Sequence, residues 1–372
     1  MRAVMLSQDA GSDAGGLSPQ STLDAAAWAA ELGISREAVD LYQACEVIDL
    51  HVDTFIWTRI FGYDMHRRHG RGPLGARYFY QVDLPRALEA GLTGALWSIT
   101  TNPYRDGASR GRVFRENLER LRGIVQADPQ RLELVRDAAG YRRARAAGKH
   151  GAFLAVQGAN AVDADDAAYR AMVEGGVVAV TLVHLSNSAL GTTSSPLGRD
   201  DALGLRPRGV AMIEALNADR VFVDLAHISR RGFWRALEVH DRSQPLIVTH
   251  TGVSAVHRSW RNLDDEQLRA VADTGGTVGV IFHGGFLGGG YLSGGRSERI
   301  ADHLMHIIET VGEDHASLGS DWDGMIITPS DMRTCHELPR LVQHLLDRGC
   351  SDVAIGKLLG GNYLRALAQL RG

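Results

Sequence analysis

Eight short apolar segments, separated by longer amphipathic stretches, restrict the folds that are open to this chain. They occupy residues 45–53, 92–99, 151–158, 177–185, 220–229, 245–252, 276–285 and 316–324. Each segment is apolar along its length, which is typical of parallel strands that are covered on both faces. The stretches between them, such as FRENLERLRGIVQ and RGFWRALEVH, have helical periodicity. This alternation of strands and helices predicts an α/β fold with a parallel sheet.

Polar residues at the ends of these segments distinguish a (β/α)8 barrel from a doubly wound sheet, the structural alternative. The end residues are His51, Asp53, Gln157, His184, His227, His250, His283 and Asp321. In a barrel, the carboxyl ends of all strands surround one face, where the active site is built. In an open sheet, the same residues would form a line too long to share one site. We therefore predict a (β/α)8 TIM barrel with a short N-terminal extension and C-terminal helices.

The two ends of the chain differ in character. Residues 8–20 are rich in Gly, Ser and Asp, so we predict a disordered or irregular leader over residues 1–21. A single metallohydrolase domain is predicted over residues 22–372. After the eighth segment, LPRLVQHLLDRG and SDVAIGKLLGGNYLRALAQL have helical patterns and supply the C-terminal helices.

Charge and cysteine content limit the partners and the compartment. The 40 basic and 44 acidic residues give a net charge of −4, which argues against a nucleic-acid or membrane-surface partner. No apolar run approaches the roughly 20 residues of a membrane span. The three cysteines, Cys45, Cys335 and Cys350, are scattered and odd in number, so we expect no disulfide framework and a cytoplasmic location.

Four of the end residues suggest a metal site. His51 and Asp53 are two residues apart, so on a strand both side chains point to the same side and can bind one cation. His227 and His250 end two neighbouring segments and bring further imidazoles to the same face. Imidazole and carboxylate ligands together suit Zn²⁺ or a similar metal.

Three further residues are candidates for catalysis or substrate binding. Asp321, favoured over Asp323 two residues later, could bind metal or move protons beside it. Arg261 could hold a substrate carboxylate in a bidentate fork, or form a surface ion pair with Asp264 or Asp265. His184 could be a metal ligand or a hydrogen-bond donor to a developing oxyanion.

Several ordered motifs together resemble those of the membrane (renal) dipeptidases, a branch of the amidohydrolase superfamily with (β/α)8 barrels. The resemblance runs from about Val47 to Arg365. The motifs that carry it are IDLHVDT, VDLPRALEAGLTGALWSI, TLVHLSNSALG, LRPRGVAMIEALNADRVFVDLAHIS, PLIVTHTGVSAVHRSWRNLDDEQL, LGSDWDG and GGNYLRAL.

The resemblance implies a site of two zinc ions. His51 and Asp53 hold one ion, His227 and His250 hold the other, and a glutamate after the third strand bridges them. A metal-bound hydroxide attacks the scissile carbonyl, and Asp321 carries the proton from the water to the leaving amine. The resemblance further implies that His184 stabilises the oxyanion and that Arg261 binds the C-terminal carboxylate of a dipeptide.

The bridging position departs from the family pattern. The family has Glu-Gly-Gly-His there, whereas this chain has Gln157-Gly158-Ala159-Asn160. An amide offers one neutral oxygen where a carboxylate offers two anionic ones. Close dications repel each other strongly, so losing the anionic bridge weakens at least one of the two metal sites. We therefore expect one or two ions, with Gln157 as a weak ligand at best.

Three functions are open at this point. The first is metal-dependent hydrolysis of a dipeptide or small amide with a free carboxylate. The second, motivated by Gln157, is a single-metal hydrolase or lyase acting on a non-peptide metabolite. The third is a non-catalytic relative that binds a small ligand. In each case the partner is a small molecule, and the resemblance adds a homodimer as an expectation.

Overall fold

A parallel sheet of nine strands forms the centre of the molecule. The computed structural model describes residues 23–72, 74–102, 106–196, 198 and 204–372. The strands in these residues are β1 (Ile48–Val52), β2 (Gly94–Thr100), β3 (Leu132–Leu134), β4 (His150–Gln157), β5 (Val177–Thr181), β6 (Phe222–Asp224), β7 (Ile247–Thr251), β8 (Thr277–Val280) and β9 (Ala316–Leu318).

Eight of these strands close into a barrel. Along the sheet the order is β2-β1-β9-β8-β7-β6-β5-β4, and β2 also pairs with β4, which closes the ring. All pairings are parallel. The predicted (β/α)8 barrel is therefore confirmed. Strand β3 lies outside the ring, paired with the first residues of β4, and the sequence prediction missed it.

Helices surround the barrel and follow most of its strands. The α-helices of the described residues are α1 (Ala25–Leu32), α2 (Arg36–Ala44), α3 (Phe55–Phe61), α4 (Leu84–Glu89), α5 (Gly107–Gln126), α6 (Ala138–Ala146), α7 (Asp166–Gly175), α8 (Pro207–Ala218), α9 (Arg230–Val239), α10 (Asp265–Ala272), α11 (Gly284–Leu287), α12 (Glu298–Val311), α13 (Pro339–Asp347), α14 (Asp352–Gly356) and α15 (Asn362–Arg371). None of them combines the length and apolar character needed to span a membrane.

The N-terminal extension contributes two short capped helices. Helix α1 begins after Asp24 and α2 after Ser35, and each of these side chains accepts a hydrogen bond from the first turn of its helix. Trp28 of α1 is buried and packs edge-on against Tyr42 of α2, with ring centroids 5.7 Å apart. The predicted leader, residues 1–21, lies outside the described residues.

The C-terminal helices close the amino end of the barrel. One π-helical turn, Lys357–Gly361, joins α14 to α15, so the predicted second helix is continuous but irregular. Asn362 donates from Nδ2 to the carbonyl oxygens of Glu313 and Ala316, both at 2.8 Å. Tyr363 is fully buried and packs edge-on against Phe153 of β4, with ring centroids 5.2 Å apart. These contacts fix α15 beneath the strands.

Four strands end earlier than their apolar segments. Strands β5, β6, β8 and β9 end at Thr181, Asp224, Val280 and Leu318, so the end residues lie three positions beyond their strands: His184, His227, His283 and Asp321. His227 has φ 65°, a left-handed conformation that cannot continue a strand. The expectation that these histidines are terminal strand residues is therefore wrong, because the chain turns inward before reaching them.

Candidate metal centre

The end of β1 brings His51 and Asp53 together inside the barrel mouth. His51 and Asp53 are only 1% and 3% exposed, and His51 Nε2 lies 3.6 Å from Asp53 Oδ2. The other carboxylate oxygen, Asp53 Oδ1, accepts a 2.7 Å hydrogen bond from Thr100 Oγ1 at the end of β2. Burial raises the pKa of Asp53, but His51 outweighs it and leaves the pKa below its usual value. This carboxyl group therefore stays ionised.

Asp321 faces the same imidazole from the loop after β9. Its Oδ1 lies 3.7 Å from His51 Nε2, and its backbone N–H donates to the His51 carbonyl at 3.0 Å. The residue has φ 63°, a strained conformation of the kind often found at functional sites. Burial raises the pKa of Asp321 to about 8. Asp321 can therefore exchange a proton near neutral pH.

Asp323 points away from this centre and ties three loops together. Its carboxylate accepts hydrogen bonds from Thr54 Oγ1 at 2.6 Å and from the backbone N–H groups of Gln81 and Val82 at 2.9 and 3.2 Å. Its backbone carbonyl accepts from the Trp57 indole at 2.7 Å. The side chain is 0% exposed. Asp323 is thus a structural partner of Asp321, whose position in the mouth depends on the same loop.

His250, in β7, has its orientation set by two neighbouring residues. Its Nδ1 lies 2.9 Å from Thr249 Oγ1, and that hydroxyl also donates to Asp224 Oδ2 at 2.7 Å. Because the hydroxyl hydrogen goes to the carboxylate, Nδ1 of His250 carries the proton and Nε2 presents its lone pair. Thr181 Oγ1 donates to the same carboxylate oxygen at 2.5 Å. These contacts leave the lone pair of His250 Nε2 available to a cation.

His227 meets His250 at the centre of the mouth. The two Nε2 atoms are 2.8 Å apart. The His227 carbonyl accepts from the backbone N–H of Ser194 at 2.7 Å and from Thr193 Oγ1 at 3.1 Å, which anchors the loop after β6. Burial lowers the pKa of both imidazoles well below the usual value. Both rings are therefore neutral and suited to bind a cation.

Gln157 ends β4 directly beside this pair. It is 1% exposed, and its Nε2 lies 3.3 Å from Nε2 of both His227 and His250. Its Oε1 has no hydrogen-bond partner among the described residues. The amide thus occupies the position between the two imidazoles that the family pattern gives to a carboxylate.

Arg261 is buried beneath the same loops and is not a surface residue. It is 4% exposed, and its guanidinium donates to the His250 carbonyl at 2.5 Å. Its Nε has no partner among the described residues. Burial lowers the pKa of Arg261 to about 10, so the group stays cationic at neutral pH. The alternative of a surface ion pair with Asp264 or Asp265 is wrong, because Asp264 pairs with Arg230 and caps α10, and Asp265 contacts His306.

His184 borders the centre from the loop after β5. Its ring meets the His227 ring edge-on, with centroids 4.7 Å apart. Burial lowers the pKa of His184 to about 4, so the imidazole is neutral at neutral pH. A neutral ring retains one N–H donor, which it can offer to a substrate oxygen.

The residues of the centre fit a bound cation. Ligand atoms of His51, His250 and Asp321 all lie within 4.8 Å of one another, and all three residues are buried. His51 Nε2 is buried without a hydrogen-bond partner among the described residues, although two carboxylates lie close by. Imidazole nitrogen and carboxylate oxygen form a donor set typical of Zn²⁺. A bound cation would give His51 Nε2 the partner that it lacks among the described residues.

Sequence reasoning missed the residues that orient the ligands. Thr100 contacts Asp53 and Thr249 contacts His250, while Asp224 accepts from Thr249; none of the three was a candidate. Asp224, three residues before His227 in VFVDLAH, is the one that carried a signal, because a carboxylate within an apolar strand is costly unless it is hydrogen-bonded. Strand threonines carry no such signal.

Comparison with known proteins identifies the family. The family model of the membrane dipeptidases, peptidase family M19, matches residues 35–371. The chain belongs to this family. The resemblance drawn from the sequence motifs is therefore confirmed.

Relatives and solved structures of this dipeptidase family extend over most of the chain. A Klebsiella pneumoniae protein, described as an uncharacterized protein in the pqqA 5' region, is 32% identical over 267 residues, covering 69% of this chain and 96% of that protein. The probable dipeptidase PvdM from Pseudomonas aeruginosa has the same fold, with a TM-score of 0.78, 20% identity, and coverage of 90% and 98% of the two chains.

A third relative was solved with a ligand. It is a metallopeptidase from Rhodobacter sphaeroides bound to a phosphinate mimic of the dipeptide L-Ala-D-Ala. The two chains superpose with a TM-score of 0.75 at 25% identity, over 88% of this chain and 99% of that one.

Proposed function

We propose that this member of the dipeptidase family is a metal-dependent hydrolase that cleaves a dipeptide or small amide with a free carboxylate. The observation that carries the proposal is the buried convergence of His51, Asp321 and His250, whose ligand atoms lie within 4.8 Å of one another. The dipeptide mimic bound to the Rhodobacter sphaeroides relative supports the substrate class.

His51, Asp53 and Asp321 would hold a divalent ion, and we propose Zn²⁺ because imidazole and carboxylate ligands favour it. Such an ion, when bound, polarises a substrate carbonyl and lowers the pKa of a coordinated water. The chain itself contributes the two carboxylates that balance the charge of the ion. Thr100 supports this role, because its hydrogen bond to Asp53 Oδ1 leaves Oδ2 to face His51.

Arg261 would bind the free carboxylate of the substrate. Its guanidinium is buried, and its Nε has no hydrogen-bond partner among the residues that the structure describes. A buried donor without a partner costs free energy, and a substrate carboxylate removes that cost by accepting from Nε and a neighbouring N–H in a fork. This contact would place the scissile amide next to His51 and Asp321.

Asp321 would transfer the proton, and His184 would stabilise the negative charge that develops on the substrate. Asp321, with a pKa raised by burial to about 8, takes a proton from the attacking water and passes it to the leaving amine. His184 is neutral because burial lowers its pKa to about 4, and it donates its N–H to the oxyanion of the tetrahedral intermediate.

A second candidate function rests on Gln157. The amide replaces the family glutamate, so the centre carries less negative charge than the family pattern implies. This favours a single-metal hydrolase or lyase that acts on a non-peptide metabolite. The two candidates differ in Arg261: an Arg261→Ala variant that keeps full activity on the physiological substrate would favour the second candidate.

Hydrolysis of a dipeptide library by the purified protein, with metal analysis of the same sample, tests the proposal. We expect bound metal, loss of hydrolysis after chelation, and recovery when Zn²⁺ is added back. Absence of metal, together with no hydrolysis of any dipeptide in added Zn²⁺, would overturn the proposal. A cytoplasmic location and a homodimer stay predictions.

A further inference from the structure

The metal centre consists of two halves that differ in charge, although each contains buried atoms without a hydrogen-bond partner among the described residues. In one half, His51 Nε2 has no hydrogen-bond partner among the described residues and faces the carboxylates of Asp53 and Asp321 at 3.6 and 3.7 Å. In the other half, Gln157, His227 and His250 bring three nitrogen atoms together at 2.8 to 3.3 Å. Only the first half contains anionic groups.

The hydrogens of the second half can be assigned from its neighbours. Thr249 Oγ1 gives its hydrogen to Asp224, so His250 carries its proton on Nδ1 and has a lone pair on Nε2. His227 Nε2 lies 2.8 Å from that lone pair and therefore supplies the hydrogen of the contact. His227 Nδ1 is then unprotonated, which agrees with its lack of a partner among the described residues.

Gln157 lies beside this contact without bringing charge to it. Its Nε2 is 3.3 Å from Nε2 of both His227 and His250, and the His250 lone pair already accepts from His227, so the amide adds only a long, shared contact. A glutamate at this position would have no hydrogen to donate and would set an anionic oxygen against that lone pair. The glutamate of the family pattern thus requires a cation between it and the histidines, whereas Gln157 does not.

Electrostatics adds an independent reason. A divalent ion beside His51 is balanced by the ionised carboxylate of Asp53 and by that of Asp321, whose proton a nearby cation displaces. A second ion between His227 and His250 would have only neutral ligands, in a site whose residues are at most 7% exposed. Two dications at short distance in such a site repel each other strongly when no anionic group lies between them.

Building on the proposed metal dependence, we propose that Gln157 closes the His227/His250 half to a second divalent ion, so that the chain holds one ion, in the His51/Asp53/Asp321 half. Gln157 then acts through the charge that it lacks: a neutral amide supplies no anionic oxygen to hold a second ion beside the two histidines, whose Nε2 atoms contact each other directly. His250 lies at the border of the two halves, since one of its ring nitrogens is within 4.8 Å of the ligand atoms of His51 and Asp321.

Metal counting tests the inference without relying on activity. Purified wild type, Gln157→Glu, His227→Ala and His51→Ala are each saturated with Zn²⁺, dialysed, and analysed by inductively coupled plasma mass spectrometry. We expect one ion per chain in wild type, two in Gln157→Glu, one in His227→Ala and none in His51→Ala. X-ray absorption should show a metal–metal distance in Gln157→Glu alone. Circular dichroism checks that each variant is folded.

The outcomes separate this inference from the proposed function. Two ions in wild type, one ion in Gln157→Glu, or loss of the ion in His227→Ala would overturn the inference while leaving metal dependence intact. Absence of metal from wild type and all variants would overturn both. If Gln157→Glu does not fold, the comparison of His227→Ala with His51→Ala still decides, because the inference assigns the ion to His51 and not to His227.

Discussion

Thr100 Oγ1 donates a 2.7 Å hydrogen bond to Asp53 Oδ1 and thereby fixes which oxygen of that carboxylate faces His51. Thr100 is the last residue of β2, and Asp53 directly follows β1, the neighbouring strand, so the contact lies at the rim of the barrel wall. Partners of this kind orient metal ligands, and they are residues that a search for ligand types alone does not find.

Replacing Thr100 with valine should weaken metal binding and leave the fold intact. Valine keeps the shape but not the hydroxyl, so Asp53 loses its orientation, and we expect zinc affinity to fall by roughly 10- to 100-fold. Competition with a chromophoric chelator measures this. Thr277→Val is the matched control, because Thr277 is also buried on a strand but its hydroxyl contacts Ser317. Equal affinities in the two variants would contradict the assigned role.

Replacing Arg261 with lysine should impair binding of substrates that carry a free carboxylate. Lysine keeps the charge but lacks the planar fork, so we expect kcat/KM to fall by roughly 10- to 100-fold, mainly through KM. The same dipeptide with an amidated C-terminus should be affected by less than about threefold, since it offers no carboxylate. Steady-state kinetics on the two substrates gives the answer; a similar loss on both would assign Arg261 a purely structural role.

Replacing Asp321 with asparagine should reduce turnover more than substrate binding. An amide cannot accept and return a proton, and general acid–base groups contribute about 10²- to 10⁴-fold to kcat. Kinetics must be measured with the metal content determined in the same sample, since Asp321 also lies 3.7 Å from His51. A variant that holds metal and keeps wild-type kcat would show that another group moves the proton.

Asp321 in the metal-free protein should contribute less to stability as pH rises through the neutral range. Burial raises the pKa of Asp321 from 3.8 to about 8 in the folded state. Between these values the folded chain holds a proton that the unfolded chain releases, so the free energy of unfolding falls with rising pH. Urea unfolding of both proteins at pH 5 and pH 8 isolates this contribution: the free energy of unfolding of wild type minus that of Asp321→Asn should fall from pH 5 to pH 8. An equal difference at the two pH values would contradict the raised pKa of Asp321.

Replacing Asp323 with asparagine should destabilise the fold, although it removes no group that takes part in the proposed reaction. The carboxylate accepts hydrogen bonds from Thr54, Gln81 and Val82, and an amide nitrogen would face one of these donors. We expect a loss of about 2–4 kcal/mol in the free energy of unfolding by urea. The exposed Asp273 provides the control, where the same change should cost less than about 0.5 kcal/mol. Similar losses would place Asp323 outside the structural network.

The barrel could be predicted because its strands are fully buried and therefore apolar along their length. Strand β3 could not, since Leu132–Leu134 is too short and contains a glutamate. The residues at which β5 and β6 end could not be predicted either, because a strand ends where its hydrogen bonds to the neighbouring strand end. His227, with φ 65°, lies past such an end, and nothing in its sequence neighbourhood indicates that conformation. The leader and the single domain over 22–372 stay predictions.

The metal centre was predictable where spacing alone determines geometry. His51 is in β1 and Asp53 directly follows that strand, so the spacing of two places both side chains on the same side, 3.6 Å apart. The sequence did not indicate whether Arg261 is buried or forms a surface ion pair. Asp264 pairs instead with Arg230 on α9, and no sequence pattern near either residue indicates that contact. The roles of the individual site residues stay predictions until the variants are measured.

Asp224 has a consequence for how this protein could change. Its carboxylate accepts hydrogen bonds from Thr181 on one neighbouring strand and Thr249 on the other, and through Thr249 it sets the tautomer of His250. The tautomer of that histidine is thus determined by residues of the barrel strands. Loops bearing Arg261 or His184 could be exchanged for others, and new substrates acquired, while the same histidine remained ready to use.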